Sequence, residues 1–306
     1  PHRGTGRHQA ECGSAMEPLY RPVLTPPRPA ATVVLLRDSD RGPEVLMLRR
    51  HGNSDVLGGA YVFPGGKLDR ADSADASIAR AGAPAEMLRE RLGEPGLDAR
   101  LAAGFFVAAC RETFEEASVL LARDADARLA ERANRRAREG LAFGALLAEF
   151  GLQLASDALV PFTRWITPKV PAMMNKRFDA RFFVAALPGG QQAHHDDHEA
   201  TDSAWLTPRE AIERYRRREI VLAPAQIMSL AQVGRHASVA GVLDEARRRP
   251  PPVIEPESFE ADGVRTAVYP GDERHSVPTR AMPGPTRLVV REGRFEPPGG
   301  FDALFD

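Results

Sequence analysis

The chain has 306 residues with 41 basic and 42 acidic side chains, so no bulk field draws it to nucleic acid or an anionic membrane. No apolar run approaches the ~18 residues of a membrane span, and two cysteines, Cys12 and Cys110, give no disulfide framework. A chain of this length buries roughly three quarters of its unfolded surface, enough for one large domain or two small ones.

Residues 1–29, rich in Pro, Gly, Arg and His, have no period and are expected to be a disordered or loose arm. The run from Ala31 to Leu36 reads as a buried strand. Glu44 to Arg49 reads as its hairpin partner across a polar turn. Arg49, Arg50 and His51 follow at the strand end, either as a solvated terminus or as arginine forks for a phosphate. Tyr61-Val62-Phe63 is a short strand running into Pro64-Gly65-Gly66, where the backbone turns sharply and a ligand can come close. Two short Ala-rich helices are predicted next, 73–81 and 85–92, broken at Gly82 and at Gly93-Glu94-Pro95-Gly96. They are read equally as a cover over a site mouth or as packing filler.

A long helix is expected from near Leu97 or Leu101 to about Arg123, then helices over 126–139 and 141–150. Strands are expected at 160–166, with Pro161 near an edge, and at 177–187. Between them a loop holds Met173, Met174, Asn175 and Lys176, with Arg177 just beyond; Lys176 or Arg177 is suspected of meeting a phosphate. His194-His195-Asp196-Asp197-His198-Glu199 reads as a polar loop ahead of the strand-like Ser203-Ala204-Trp205-Leu206, in preference to a transition-metal site. Thr207-Pro208-Arg209-Glu210 carries a cap, a first-position proline and a capping-box Glu, opening a helix to about Arg218. Helices over 224–236 and 238–249 close a domain of residues 30–249. Residues 250–306 read as a Pro/Gly-rich extension with a hairpin built from 264–269 and 286–294.

The chemistry sits on the long helix. Glu112, Glu115 and Glu116 fall on one helical face beside an apolar stripe. Their mutual repulsion is removed by a hard divalent cation, which prefers oxygen ligands. A lone trio of this kind is more often a solvated acidic face; the glycine turn upstream changes that reading.

Together the two pieces resemble the signature of the Nudix hydrolases, G-x5-E-x7-R-E-U-x-E-E-x-G-U, where U is a bulky apolar residue. Gly66 takes the first position, Asp72 the Glu position, Arg111-Glu112 the R-E pair and Glu115-Glu116 the E-E pair. Thr113 replaces the apolar residue and Ser118 the glycine, and the seven-residue spacer is drawn out to Ser73–Cys110. An interrupted box is similar to that of the branch that includes a peroxisomal coenzyme A diphosphatase of mammals. Arg49-Arg50, Trp165-Ile166-Thr167-Pro168 and Arg177 to Phe183 look like that branch too.

The resemblance implies an α/β/α sandwich around a mixed sheet, with a helical insertion over about 73–100 and a C-terminal extension. It implies Mg²⁺ or Mn²⁺ on Glu112, Glu115 and Glu116, with Arg111 orienting a carboxylate and Glu199 as base or extra ligand. Substrate contacts are expected from Arg49, Arg50, Gly65, Gly66, Lys176 and Arg177, while the role of Asp72 is open. The implied reaction is hydrolysis of a diphosphate, first in coenzyme A or acyl-coenzyme A, with NADH or ADP-ribose as alternatives. A nucleotide-sensing module without catalysis is the reading from another class. The partner expected is a small nucleotide, not nucleic acid or membrane, and a homodimer is allowed. The N-terminus lacks a hydrophobic signal core and Leu304-Phe305-Asp306 is not a peroxisomal address, so a cytoplasmic, reducing location is expected.

Overall fold

The structure, a computed structural model, describes residues 23–52, 57–170, 176–194 and 200–306. Strands β1 (Arg28–Ser39) and β2 (Gly42–Arg50) form a hairpin in register from Leu36↔Val45 to Ser39↔Gly42. Gly42, at φ +100°, supplies the backbone conformation that closes its tight turn. β3 (Tyr61–Val62) pairs with β2, and β4 (Gly65–Lys67) doubles back onto β1. β5 (Val160–Ile166), β6 (Phe178–Ala186), β7 (Ala200–Leu206) and β8 (Val253–Ile254) complete a mixed sheet. Its order is β3-β2-β1-β6-β5-β8, with β7 also on β2; β1 is parallel to β6 and β5 to β8. The expected strands are present. The first begins three residues early, at Arg28, inside the stretch assigned to the loose arm.

Alternation along each strand builds two cores. Val33, Leu35, Leu46, Leu48, Phe183 and Ala185 point to one face. That face is covered by the single turn α1 (Asp75–Ile78), α2 (Ala85–Leu92), α3 (Ala99–Ala117), α4 (Ala127–Arg138) and α5 (Phe143–Glu149). Val34, Leu36, Val45, Met47, Phe182 and Val184 point to the other face, under α6 (Pro208–Arg216), α7 (Pro224–Val233) and α8 (Val239–Arg247). The result is the α/β/α sandwich. Every residue from Ala102 to Cys110 is buried, so α3 lies deep between sheet and outer helices rather than showing one apolar stripe.

Three sequence expectations are corrected. The helix predicted over 73–81 is a 3₁₀ turn, Arg70–Ser73, followed by a single turn, Asp75–Ile78. The chain there must fold back against α3, where Ser73 packs on Gly104. α3 stops at Ala117, not Arg123, because Ser118 takes a left-handed conformation (φ +59°). Val119-Leu120-Leu121 then continue the apolar run as extended chain, so periodicity could not mark the stop.

The third correction concerns residues 250–306. Beyond β8 they form a four-stranded antiparallel sheet of β9 (Glu257–Ala261), β10 (Val264–Val268), β11 (Arg287–Arg291) and β12 (Arg294–Glu296). The predicted hairpin is β10 and β11, paired through Thr266↔Val289. The sheet is not an appendage: Tyr269, Met282, Leu288, Phe295 and Leu304 belong to the same core as α6, α7 and α8. The Tyr215 hydroxyl on α6 both donates to the Phe295 carbonyl (3.2 Å) and accepts from its N–H (2.9 Å).

The insertion is held by charge as well as packing. Glu94 accepts from Arg181 Nε (2.9 Å) and Arg164 Nη1 (2.8 Å), and Asp179 accepts both forks of Arg164 (2.8 and 2.7 Å). Two guanidiniums meet two carboxylates there, around a small cavity of about 340 Å³.

Candidate active site

The glycine turn and the acidic helix meet. β4 pairs with β1 through Thr32↔Gly65 and Ala31↔Gly66, which brings Pro64-Gly65-Gly66 against α3. The Gly65 N–H donates to Glu116 Oε2 at 2.8 Å. A Cβ on Gly66 would lie 2.5–2.7 Å from the Glu112 carboxylate, and one on Gly65 would lie 2.5 Å from the Ala31 carbonyl oxygen. Only glycine leaves that room. Glu112 and Glu116 are buried, at 9% and 6% exposure.

Arg111 organises the remaining acids. Its Nε and Nη2 donate to the two oxygens of Asp72, each at 2.9 Å, a bidentate fork. Nη1 donates to Glu112 Oε1 (2.8 Å) and Glu115 Oε2 (2.9 Å), and Nη2 also to the Lys67 carbonyl (3.2 Å). Burial opposes the Arg111 charge, but the Asp72 hydrogen bonds and the charges of Glu112, Asp72 and Glu115 outweigh it and raise its pKa. Glu115 is held above the usual carboxylate range, chiefly by desolvation and only partly offset by Arg111.

Asp72 thus has a defined place. The long insertion separates it from Arg111 in sequence, yet the 3₁₀ turn, in which Asp72 also accepts from the Asp69 N–H (2.8 Å), returns it to the helix. The three expected metal ligands are divided. Glu112 and Glu116 face the glycine turn, whereas Glu115 lies outward on Arg111 with its side chain 46% exposed. Among the described residues no three metal-ligating side chains are already gathered. The donor chemistry nonetheless fits a hard cation: two buried carboxylates stand against a turn whose missing Cβ atoms leave the space beside them.

A cavity of about 520 Å³ opens from this corner. Gly65, Gly66, Lys67 and Glu112 line it together with the cationic Arg28, Arg50, Lys176 and Arg265, and Phe63, Trp165, Phe178 and Phe182 contribute apolar lining. Arg50 stands where β2 bulges against β7, and its Nε is buried without a hydrogen-bond partner among the described residues.

Of the predicted substrate contacts, Arg50, Gly65, Gly66 and Lys176 line this cavity; Arg49 and Arg177 do not. Arg177 is buried and committed, donating to the Thr167 carbonyl and to Glu255 (each 2.9 Å). Glu199 lies outside the described residues, as do Met173, Met174, Asn175 and His195 to His198; Ala200, which follows Glu199, pairs with Arg50. Nothing in the insertion from Ser73 to Gly93 lines the cavity. Sequence reasoning missed Arg28, Lys67, Trp165, Gln226, Arg265 and Phe295. The last two come from the C-terminal sheet, whose return to the cavity has no local signal.

A family model described as the NUDT19 Nudix domain matches residues 87–233. The acyl-coenzyme A diphosphatase NUDT19 of Gallus gallus is 29% identical over 238 residues, covering 64% of this chain and 62% of that protein. The protein of the same name from Homo sapiens is 28% identical over 279 residues, covering 76% and 72%. In the Gallus gallus relative, as in that of Xenopus laevis, the match therefore spans only about three fifths of the relative's length. Among solved structures, a NUDIX hydrolase from Alicyclobacillus acidocaldarius superposes with a TM-score of 0.57 at 27% identity, over 74% of this chain and 98% of that one.

Proposed function

The chain belongs to the Nudix family, in its NUDT19-like branch, and on that premise we propose that it hydrolyses the diphosphate bond of a nucleoside diphosphate-linked metabolite, coenzyme A or an acyl-coenzyme A first among them. Water adds across P–O–P, so coenzyme A yields 3′,5′-ADP and 4′-phosphopantetheine. The observation that carries this reading is one cavity lined by Glu112 and the glycine turn, by cationic side chains and by a set of apolar ones. A diphosphate with an extended, weakly polar arm has that polarity.

Glu112 and Glu116 would hold a divalent cation, Mg²⁺ or Mn²⁺, with Glu115 as the outer carboxylate. When bound, such an ion would supply positive charge to offset that of the phosphates and would lower the pKa of water. Gly65 and Gly66 let the backbone stand close to the reacting group. Arg50 and Lys67 meet the phosphate charge, Arg50 as a planar fork and Lys67 as a point charge. Arg111 acts through others: it holds Asp72, Glu112 and Glu115 in place and keeps the corner from flying apart while it is empty of substrate. Glu199, from the stretch ahead of β7, is the proposed base. The names of the NUDT19 relatives support the coenzyme A assignment.

The test is a mass-spectrometric product assay with Mg²⁺ or Mn²⁺ on coenzyme A, acyl-coenzyme A, NADH and ADP-ribose. Release of 3′,5′-ADP from the coenzyme A compounds, absent with Glu116→Gln, is expected. Turnover of NADH or ADP-ribose alone would remove the coenzyme A assignment and keep the hydrolase. Among the described residues no helix is long and apolar enough to cross a membrane, which is consistent with a dissolved substrate.

A further inference from the structure

The cavity has a second polar feature. Trp165 on β5 and Gln226 in the first turn of α7 both line it, and both are more than nine-tenths buried. Among the described residues, the indole Nε1–H of Trp165 and the Oε1 of Gln226 have no hydrogen-bond partner. Buried polar atoms are rarely left so, because each loses its water without replacement. The same cavity takes apolar lining from Phe178 and Phe182 on β6, Ala267 on β10 and Phe295 on β12, and polar lining from Thr167, Glu257, Ser258 and Arg265. Trp165 is fixed by its neighbours, edge-on to Tyr269 (5.9 Å) and 6.4 Å from Phe182. So one buried donor and one buried acceptor line the cavity unmatched, on elements other than the acidic helix.

We propose that this part of the cavity is a subsite for the secondary amides of the substrate's non-nucleotide arm, with Trp165 donating to an amide carbonyl and Gln226 accepting from an amide N–H. The assignment rests on the coenzyme A reading above, since pantetheine is an arm of amides joined by short aliphatic pieces. An amide is satisfied by one donor and one acceptor. The C-terminal sheet is then part of substrate selection, since Ala267 and Phe295 line the same cavity.

The experiment uses the full chain and compares wild type with Trp165→Phe, which keeps an aromatic ring, and Gln226→Met, which keeps length; circular dichroism and Tm confirm the fold of each. Steady-state assays on coenzyme A give KM, and each product is titrated as an inhibitor. Each variant is expected to raise the KM for coenzyme A and the inhibition constant of 4′-phosphopantetheine by about five- to tenfold, as loss of one hydrogen bond does. Inhibition by 3′,5′-ADP is expected to stay unchanged. Unchanged constants in both folded variants would overturn the subsite and leave the proposed function standing. Weakened 3′,5′-ADP inhibition would overturn it as well, by putting the nucleotide against these residues. A wild-type chain that does not cleave coenzyme A would sink the proposed function itself, and the amide assignment with it.

Discussion

Two buried ionic networks flank the sheet, and they differ in charge balance. Around Glu94, two carboxylates meet two guanidiniums. Around Arg111, three carboxylates share one guanidinium, and Glu116 adds a fourth beside the glycine turn. The first network is complete in itself and joins the insertion to β5 and β6. The second gathers more carboxylates around its guanidinium than the first does, in a partly desolvated corner whose oxygen donors suit a divalent cation. Both would look alike in a tally of ion pairs. Stoichiometry separates the structural cluster from the chemical one.

The largest expected effect is on turnover. Glu116→Gln should lower kcat by roughly 10³-fold or more, the scale of losing a major electrostatic contributor, with Tm within a few degrees of wild type; a folded variant with near-native kcat would move the centre elsewhere. Next come paired variants of the two networks. Arg111→Met leaves Asp72, Glu112 and Glu115 without their common partner and should cost about 3–5 kcal/mol in urea unfolding, along with activity. Arg181→Met should cost a similar amount, yet kcat/KM per folded molecule should hold. Equal loss of activity in both would erase the distinction between the clusters.

Gly66→Ala pushes a Cβ against the Glu112 carboxylate and should cost about 1–3 kcal/mol of overpacking, with kcat falling more than Tm suggests. A pH test sharpens the balanced network. Burial raises the Asp179 pKa, but the Arg164 hydrogen bonds and the Arg181 and Arg164 charges more than offset it, so the folded value lies below its ordinary 3.8. Between the folded and unfolded values the unfolded chain binds more protons. Asp179 therefore contributes stability above about pH 4 that is lost as pH falls through the folded value. Urea midpoints should show the gap between wild type and Asp179→Asn narrowing from pH 7 to pH 3. The smallest effect is a gain: Ser118→Gly should stabilise by about 1 kcal/mol, by relieving a left-handed residue that carries a Cβ.

That last residue shows what sequence could and could not reveal. Ser118 stands where the Nudix pattern has glycine, and the structure gives the reason, a left-handed helix stop; the periodicity of Val119-Leu120-Leu121 had hidden the stop. Strands and helices with strong alternation or caps, such as β5, β6 and α6, were legible because each is specified locally. The corner formed by Gly66, Glu112 and Glu116 was legible through the pattern. Asp72 was matched to the pattern as well, but its role was open, since only the folded insertion returns it to Arg111. Arg265, Phe295, Gln226 and Trp165 carry no motif, and their gathering at one cavity depends on pairing between distant stretches. The expected role of Arg177 failed for the opposite reason: a basic residue in a suggestive loop was already spent on Thr167 and Glu255.

The coupling of Tyr215 to Phe295 has a consequence for how the protein is made. Chains are synthesised from the N-terminus, and early stretches generally fold first. Here both bonds of the Tyr215 hydroxyl, and the apolar cover for Trp165, wait for residues that the ribosome adds much later. The nascent chain can assemble β1, β2 and α3, complete with its acids, while the substrate cleft still lacks a wall. That wall is added late, when β9–β12 emerge and dock.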